Sequence, residues 1–221
     1  VLTVLGCNLD ILRSGQDLPG KSAGLIDACI EAASLGASLA GRLKTIARKG
    51  PLTSDRVDLC ALIGESRDLL QRSIGNGYEI DVKLPEARLE VLTDTALVQV
   101  ALLNLIGNAR DAMPDGGAIR VKLNEGKPEP GSRVLRGNYD DQQRYALLQV
   151  TDNGCGMTPE VKEKVFEAFY TTKGSEGGTG LGLSTVQDLA KSADGFVQID
   201  SDPDKGTTIK VFMPLFGSGT A

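Results

Sequence analysis

The chain contains no histidine and no tryptophan, and aromatic residues make up only 4% of its 221 positions. Without an imidazole, Ser-His-Asp and Cys-His nucleophile pairs and histidine-ligated metal sites are excluded from these residues. The four cysteines, Cys7, Cys29, Cys60 and Cys155, are scattered, with no CxxC pair. Neither a zinc cluster nor a disulfide framework is expected; they read as small buried apolar residues or idle thiols in a reducing compartment. No window approaches the roughly 18 to 20 apolar residues of a membrane-spanning helix. The apolar opening, Val1 to Leu12, is interrupted by Asn8 and Asp10 and has no basic leader, so it does not read as a signal peptide. Basic residues are outnumbered 24 to 29, for a net charge of -5. Nucleic acid and anionic membranes both require a basic face, so neither is an expected partner.

With 41% hydrophobic residues, the chain can bury a substantial core as one large or two small domains. Residues 1–50 are Leu/Ala-rich. A first helix is expected over Val1–Arg13, with Val1, Val4 or Leu5, Leu9 and Leu12 on one face. After the breaker-rich turn 14–20, a second helix runs over about Ser22–Lys49. Its Leu25, Ala28, Ala32, Leu35, Leu39 and Ile46 form a heptad-like seam. One helical hairpin cannot bury two apolar faces, so pairing with a second copy into a four-helix bundle is expected, packing on the rest of the chain being the alternative. Gly50-Pro51 breaks the helix, and residues 51–56 read as a linker. Beyond it, over 57–216, helices are expected at Leu59–Gln71, Asp94–Ala112 with Asp94 as N-cap, Pro159–Ala168 and Leu181–Ser192. Strands are expected at Tyr78–Leu84, Leu89–Leu92, Ile119–Leu123, Tyr145–Thr151, Phe196–Ser201 and Thr207–Pro214, with a polar insertion over 124–144 and a short tail over 217–221. This order predicts a sheet covered on one face by helices, an α/β two-layer sandwich.

Four segments carry chemistry. Asn104 and Asn108, in the run Asn104-Leu-Ile-Gly-Asn108-Ala-Arg-Asp111, share one helix face with Asp111 a turn further on. An amide oxygen is a neutral, hard ligand suited to Mg²⁺, although a capping or core hydrogen bond would use the same residue. Asp152-Asn-Gly154-Cys-Gly156-Met157 follows a strand. Its glycines permit a tight turn and close approach to a ligand, its carboxylate can accept from an exocyclic amine, and Met157 offers a soft apolar face. Taken alone, it also fits an ordinary Asx turn. Phe166-Glu-Ala-Phe169-Tyr170-Thr-Thr-Lys173 concentrates aromatics beside a lysine able to reach a phosphate, or simply ends a helix in the core. Gly177-Gly178-Thr-Gly180-Leu181-Gly182 feeds a helix N-terminus, where free N–H groups and the positive dipole end favour phosphate. It has neither Walker spacing nor a Rossmann context.

In this order the four segments resemble the N, G1, F and G2 boxes of the GHKL superfamily, which includes histidine kinases, gyrase, Hsp90 and MutL, over about Val57–Pro214. Within the superfamily the resemblance is to bacterial sensor histidine kinases of hybrid type. It implies an overall α+β architecture: a helical hairpin, half of a dimeric four-helix bundle, followed by a Bergerat-type two-layer sandwich. It implies ATP and Mg²⁺, with Asn108 as the metal ligand and Asp152 reading adenine. Gly154, Gly156 and Met157 would form the pocket wall. Lys173, Gly180 and Gly182 would be phosphate-side contacts, Asp111, Gly178 and Leu181 further nucleotide-binding residues, and Thr207 would support adenine through water. The lid would span about 157–179. Hydrolytic members carry a Glu base where this chain has Asn104, and an amide cannot take a proton from water, so slow hydrolysis is implied. Asn104 and Lys173 are the implied catalytic residues.

Val1-Leu-Thr-Val-Leu5 resembles the tail of a phosphoacceptor box whose His and following acidic base would lie immediately before Val1. Truncation is the expected reason for their absence, natural loss of the acceptor being the alternative. The implied activity is transfer of the γ-phosphoryl of Mg-ATP to a His outside this chain, in a two-component phosphorelay, with a homodimer and a response-regulator receiver domain as partners. A nucleotide-binding regulator or pseudokinase is the second reading. A Ser kinase of anti-sigma type is disfavoured by Asn104 and the hairpin, and a gyrase-like ATPase by the missing Glu. A cytoplasmic location is expected, with membrane tethering of the parent protein left open.

Overall fold

The computed structural model describes residues 55–75, 77–128, 139–172 and 180–217. The hairpin expected over 1–50 lies outside the described residues, as do Lys173 and Gly178.

Strand β1 (Asp55–Asp58) runs into helix α1 (Leu59–Ile74) through Asp58, whose side chain caps the helix by accepting from Cys60 N and Ala61 N. Leu59, Leu62, Ile63, Ser66, Leu70 and Ile74 recur every three or four residues and form the buried stripe. The helix stops at Gly75, φ +76°. Strands β2 (Tyr78–Lys83) and β3 (Glu90–Thr93) follow, then helix α2 (Thr95–Asp111). Asp94 is its N-cap, accepting from Ala96 N at 2.8 Å and Leu97 N at 3.3 Å. Strands β4 (Gly117–Gly126) and β5 (Tyr145–Asp152), helices α3 (Pro159–Lys164) and α4 (Gly182–Ser192), and the hairpin β6 (Phe196–Ser201)–β7 (Thr207–Pro214) complete the order.

The five-stranded sheet has the order β2-β4-β5-β7-β6; β2 and β4 are parallel and the other pairs antiparallel. Helices α1, α2 and α4 cover one face, with α2 packed between the other two. The sandwich expected from the element order is therefore present. Along β4 the burial alternates: Ile119, Val121 and Leu123 face the helices, while Ala118, Arg120 and Lys122 are exposed. The opposite face carries a separate aromatic cluster at one end, Tyr145, Phe196, Phe212 and Leu147, with Phe196 stacked on Phe212 at 4.5 Å. Among the described residues no helix is long and apolar enough to cross a membrane.

Several boundaries differ from the sequence reading. Strand β1 was not foreseen and starts inside the segment read as a linker. It pairs antiparallel with β3, and the chain end adds to that pair through the bridge Val91–Leu215. Four residues with two charged ends carry too little pattern to announce a strand; the partner creates it. Strand β4 extends beyond 119–123 at both ends because Gly117 and Ala118 pair with Tyr78 and Glu79, and Asn124–Gly126 pair with Leu147–Tyr145. Helix α3 ends at Lys164 instead of Ala168, and Phe169 takes φ +68°, a left-handed conformation that cannot propagate a right-handed helix. Of the cysteines described, Cys60 is half-buried and Cys155 exposed, not buried; burial pushes the Cys60 thiol up.

Candidate functional site

Helix α2 links the parts of the candidate site: Asn108 lies against the α4 start, and Ala112, one turn on, against the turn that follows β5. On α2, Val98, Ala101, Leu102, Leu105, Ile106 and Ala109 are taken by the core, which leaves Asn104 and Asn108 half-buried on another flank. The first residue of α4 stands over them. A Cβ placed on Gly182 would lie 3.2 Å from Asn108 Nδ2, 3.5 Å from its Oδ1 and 3.8 Å from Asn104 Cβ. A side chain there would press on the amide, so glycine eases the close approach of the α4 N-terminus. The cap position of α4 is Leu181, 3% exposed, whose side chain has no polar atom to offer the first-turn N–H groups. Its carbonyl accepts from Thr185 N, Thr185 Oγ1 and Ser184 Oγ.

Asp152 closes β5 and is 8% exposed. Its Oδ1 accepts from Gly154 N at 2.9 Å and from Thr207 N at 3.1 Å. Burial pushes the Asp152 carboxyl above its ordinary range, and the two backbone donors pull it back part of the way. The turn after it is stitched to its surroundings. Asn153 Oδ1 accepts from Ala118 N at 3.0 Å, and Cys155 N donates to Ala112 O at 3.0 Å, one turn beyond Asn108. Gly154 packs so tightly on α2 that an added Cβ would sit 2.5 Å from Ala112 O. Gly156 has φ +65°, and a side chain there would run into the Asp202 carbonyl. These two contacts, more than a general need for flexibility, require glycine in the turn.

Met157 is half-buried after the turn. Asp111 ends α2, exposed, with its Oδ1 3.0 Å from Arg110 Nη2. Gly180 has φ +63° and accepts from Phe169 N at 2.9 Å, which joins the two flanks of the segment between them. Thr207 opens β7 and is paired with Asp152 across the strands. Two residues near Asp152 were not singled out. Gly206, φ +79°, lies against the Asp152 carbonyl, and Ser201 Oγ contacts Thr207 Oγ1 at 2.9 Å. The Asp-Lys-Gly run before Thr207 announces a turn needing positive φ at Gly206, but nothing in sequence links Ser201 to Asp152. A cavity of about 290 Å³ lies beside the turn, lined by residues that include Met113, Asp115, Asn153, Cys155 and Asp204.

A mixed five-stranded sheet with helices α1, α2 and α4 on one face is the two-layer architecture of Bergerat-type ATPase domains. Residues 93–217 match the family described as histidine kinase-, DNA gyrase B-, and HSP90-like ATPase. The chain belongs to that family, in its bacterial sensor histidine kinase branch. It is 34% identical over 216 residues to the sensor kinase CckA of Brucella abortus (strain 2308), an alignment covering 97% of this chain and 22% of that protein. It is 30% identical over 159 residues to sporulation kinase A of Bacillus subtilis (strain 168), covering 72% and 23%. Among solved structures, the mycobacterial sensor histidine kinase MprB superposes with a TM-score of 0.57 at 28% identity, covering 73% of this chain and 97% of that chain. Full-length ShkA in complex with AMPPNP shares the fold, with a TM-score of 0.62 at 22% identity over 96% of this chain and 43% of that chain. The chain spans under a quarter of the length of these two curated relatives.

Proposed function

We propose that this chain binds Mg-ATP and donates the γ-phosphoryl group to a histidine that lies outside the present sequence, as the catalytic core of a two-component sensor kinase. The observation that carries the reading is the approach of the α4 N-terminus to Asn108 through Gly182. It puts a neutral oxygen ligand beside a positive helix end, the combination that suits a metal-bound phosphate chain. The residues fit the ligand at its other end too. Asp152 keeps Oδ1 occupied by two backbone donors and has Oδ2 left to accept from an exocyclic amine.

In this reading Asn108 is the protein ligand of Mg²⁺, which when bound would neutralise phosphate charge. Asp152 reads the base, with Gly154, Gly156 and Met157 as the wall and Thr207 in support. Gly180, Leu181 and Gly182 set the backbone facing the phosphates, and Lys173, Gly178 and Asp111 are assigned to the same side. Asn104 occupies the position beside the metal ligand without a basic group, so water is not activated and the phosphoryl group is retained for transfer. Catalysis then rests on positioning and charge neutralisation. The segment 1–50 is proposed to pair two copies and to present a docking surface to a receiver domain.

The test is calorimetry with ATP, with and without Mg²⁺, followed by transfer from labelled ATP to a separately supplied histidine-bearing segment. Mg²⁺-dependent binding with transfer is expected. Binding without transfer would favour a nucleotide-responsive regulator, and absence of binding would overturn the pocket assignment. Asn108→Ala should weaken binding by at least about tenfold in Mg²⁺ and much less in its absence.

A further inference from the structure

Helix α3 has six residues, and none of them is buried. A helix this short does not hold itself in water, so its position depends on ties to the rest of the molecule. It follows closely on Gly156 and Met157. Both ends of the stretch from Cys155 to Lys162 are fastened to one place, the end of β6 and the turn after it. At the near end Asp204 N donates to Cys155 O at 2.8 Å, and Gly156 lies so close to the Asp202 carbonyl that a side chain would run into it. At the far end Lys162 Nζ donates to Ser201 O at 2.6 Å and lies 3.7 Å from Asp202 Oδ1. The stretch is thus a small closed loop, with Met157 inside it and Lys162 as its clasp. The near-end ties involve backbone alone, whereas the far-end tie hangs on one side chain, whose charge strengthens the hydrogen bond. Beyond α3, Phe166 is buried in the core, so the path of the chain does not depend on the clasp.

We infer that Lys162 is a positioning residue for the nucleotide site: by fastening α3 to the Ser201 carbonyl it holds the stretch around Met157 in place and slows release of the nucleotide. The inference rests on the proposed reading of Gly156 and Met157 as the pocket wall. Lys162 itself touches no ligand; it acts through the backbone between Met157 and α3. Its effect therefore belongs to the wall and not to the phosphates, and is the same whatever the number of phosphates and with or without Mg²⁺. With 27% of its side chain exposed, Lys162 makes a partly screened contact, so its loss weakens binding by a modest factor.

The experiment compares the full chain with Lys162→Met, which keeps the apolar stem and removes the ammonium, and with Lys162→Arg, which keeps the charge and the donors. Affinity for ATP and for ADP is measured by calorimetry with and without Mg²⁺, the ATP dissociation rate by stopped-flow displacement, and the ligand-free melting temperature alongside. In Lys162→Met both nucleotides should bind about fivefold more weakly, by the same factor in either condition, with the loss in the dissociation rate. The ligand-free melting temperature should stay close to wild type, because α3 buries no residue. Lys162→Arg should restore affinity. Unchanged affinities in Lys162→Met would overturn the inference alone. A loss larger for ATP than for ADP would overturn it by making Lys162 a phosphate contact, and a clear fall in ligand-free melting temperature by making it part of the fold. Wild type binding neither nucleotide would remove the pocket reading and this inference together.

Discussion

Burial raises the Asp152 carboxyl above the ordinary value of 3.8, and the N–H groups of Gly154 and Thr207 offset only part of that. For an acid whose folded pKa is raised, stability is fully present below the unfolded value and is lost as pH rises through the folded one. At neutral pH the ionised carboxylate is therefore a standing cost to the fold. Asp152→Asn retains an oxygen for the two backbone donors and removes the charge. Its ligand-free melting temperature at pH 7 should equal or exceed wild type, while calorimetry should detect no tight ATP binding; a clear fall in melting temperature would contradict this account. In the proposed role Asp152 acts in its ionised form, so ATP affinity should decline on acidification, beginning at a higher pH than an ordinary carboxylate would allow. A titration of affinity against pH checks the direction. Asp152 and Asn108 were legible as candidates from their neighbours in sequence. The close fits that make Gly154 and Gly206 necessary, and the tight approach of Gly182 to Asn108, were not, because each partner is set by packing.

Helix α2 carries both core and proposed site residues, and the two are separable by face. Asp94→Ala removes a cap that satisfies two backbone donors and should lower stability by about 1 kcal/mol in urea unfolding. Leu102→Ala, at a fully buried position of the same helix, should cost about 2–5 kcal/mol. Neither side chain is part of the proposed site, so nucleotide affinity of the folded fraction should be little changed in both. The cap was readable because Asp followed by an apolar-periodic run states a local preference. Strand β1 and the ends of β4 were not, since a strand is completed by its partner: Asp55–Asp58 by Glu90–Thr93, and Asn124–Gly126 by Tyr145–Leu147. The end of α3 was overestimated for a related reason. Ala168 and the aromatics around it suit a helix, and the left-handed Phe169 is held by its bond to Gly180, eleven positions further on.

For the chain as a whole, the heptad-like seam over 25–46 predicts a dimer by light scattering, whereas the segment from Thr53 onward should be monomeric; a monomeric full chain would refute the bundle. Mg-ATP at about 100 times its Kd should raise unfolding stability by about 2.7 kcal/mol if only the folded state binds. The amphipathic periodicities, the Asp94 cap and the four boxes in their order determined the two-layer plan and the identity of most candidate site residues, because these depend on neighbours within a few positions. Tertiary structure alone decided how the boxes meet. Gly182 and Asn108 are 74 positions apart, and Ser201 reaches Asp152 only through Thr207 across adjacent strands. Periodicity reports which face of an element is apolar; it does not report which atom of a distant element will lie against the other face, and the chemistry of the site is set by those contacts.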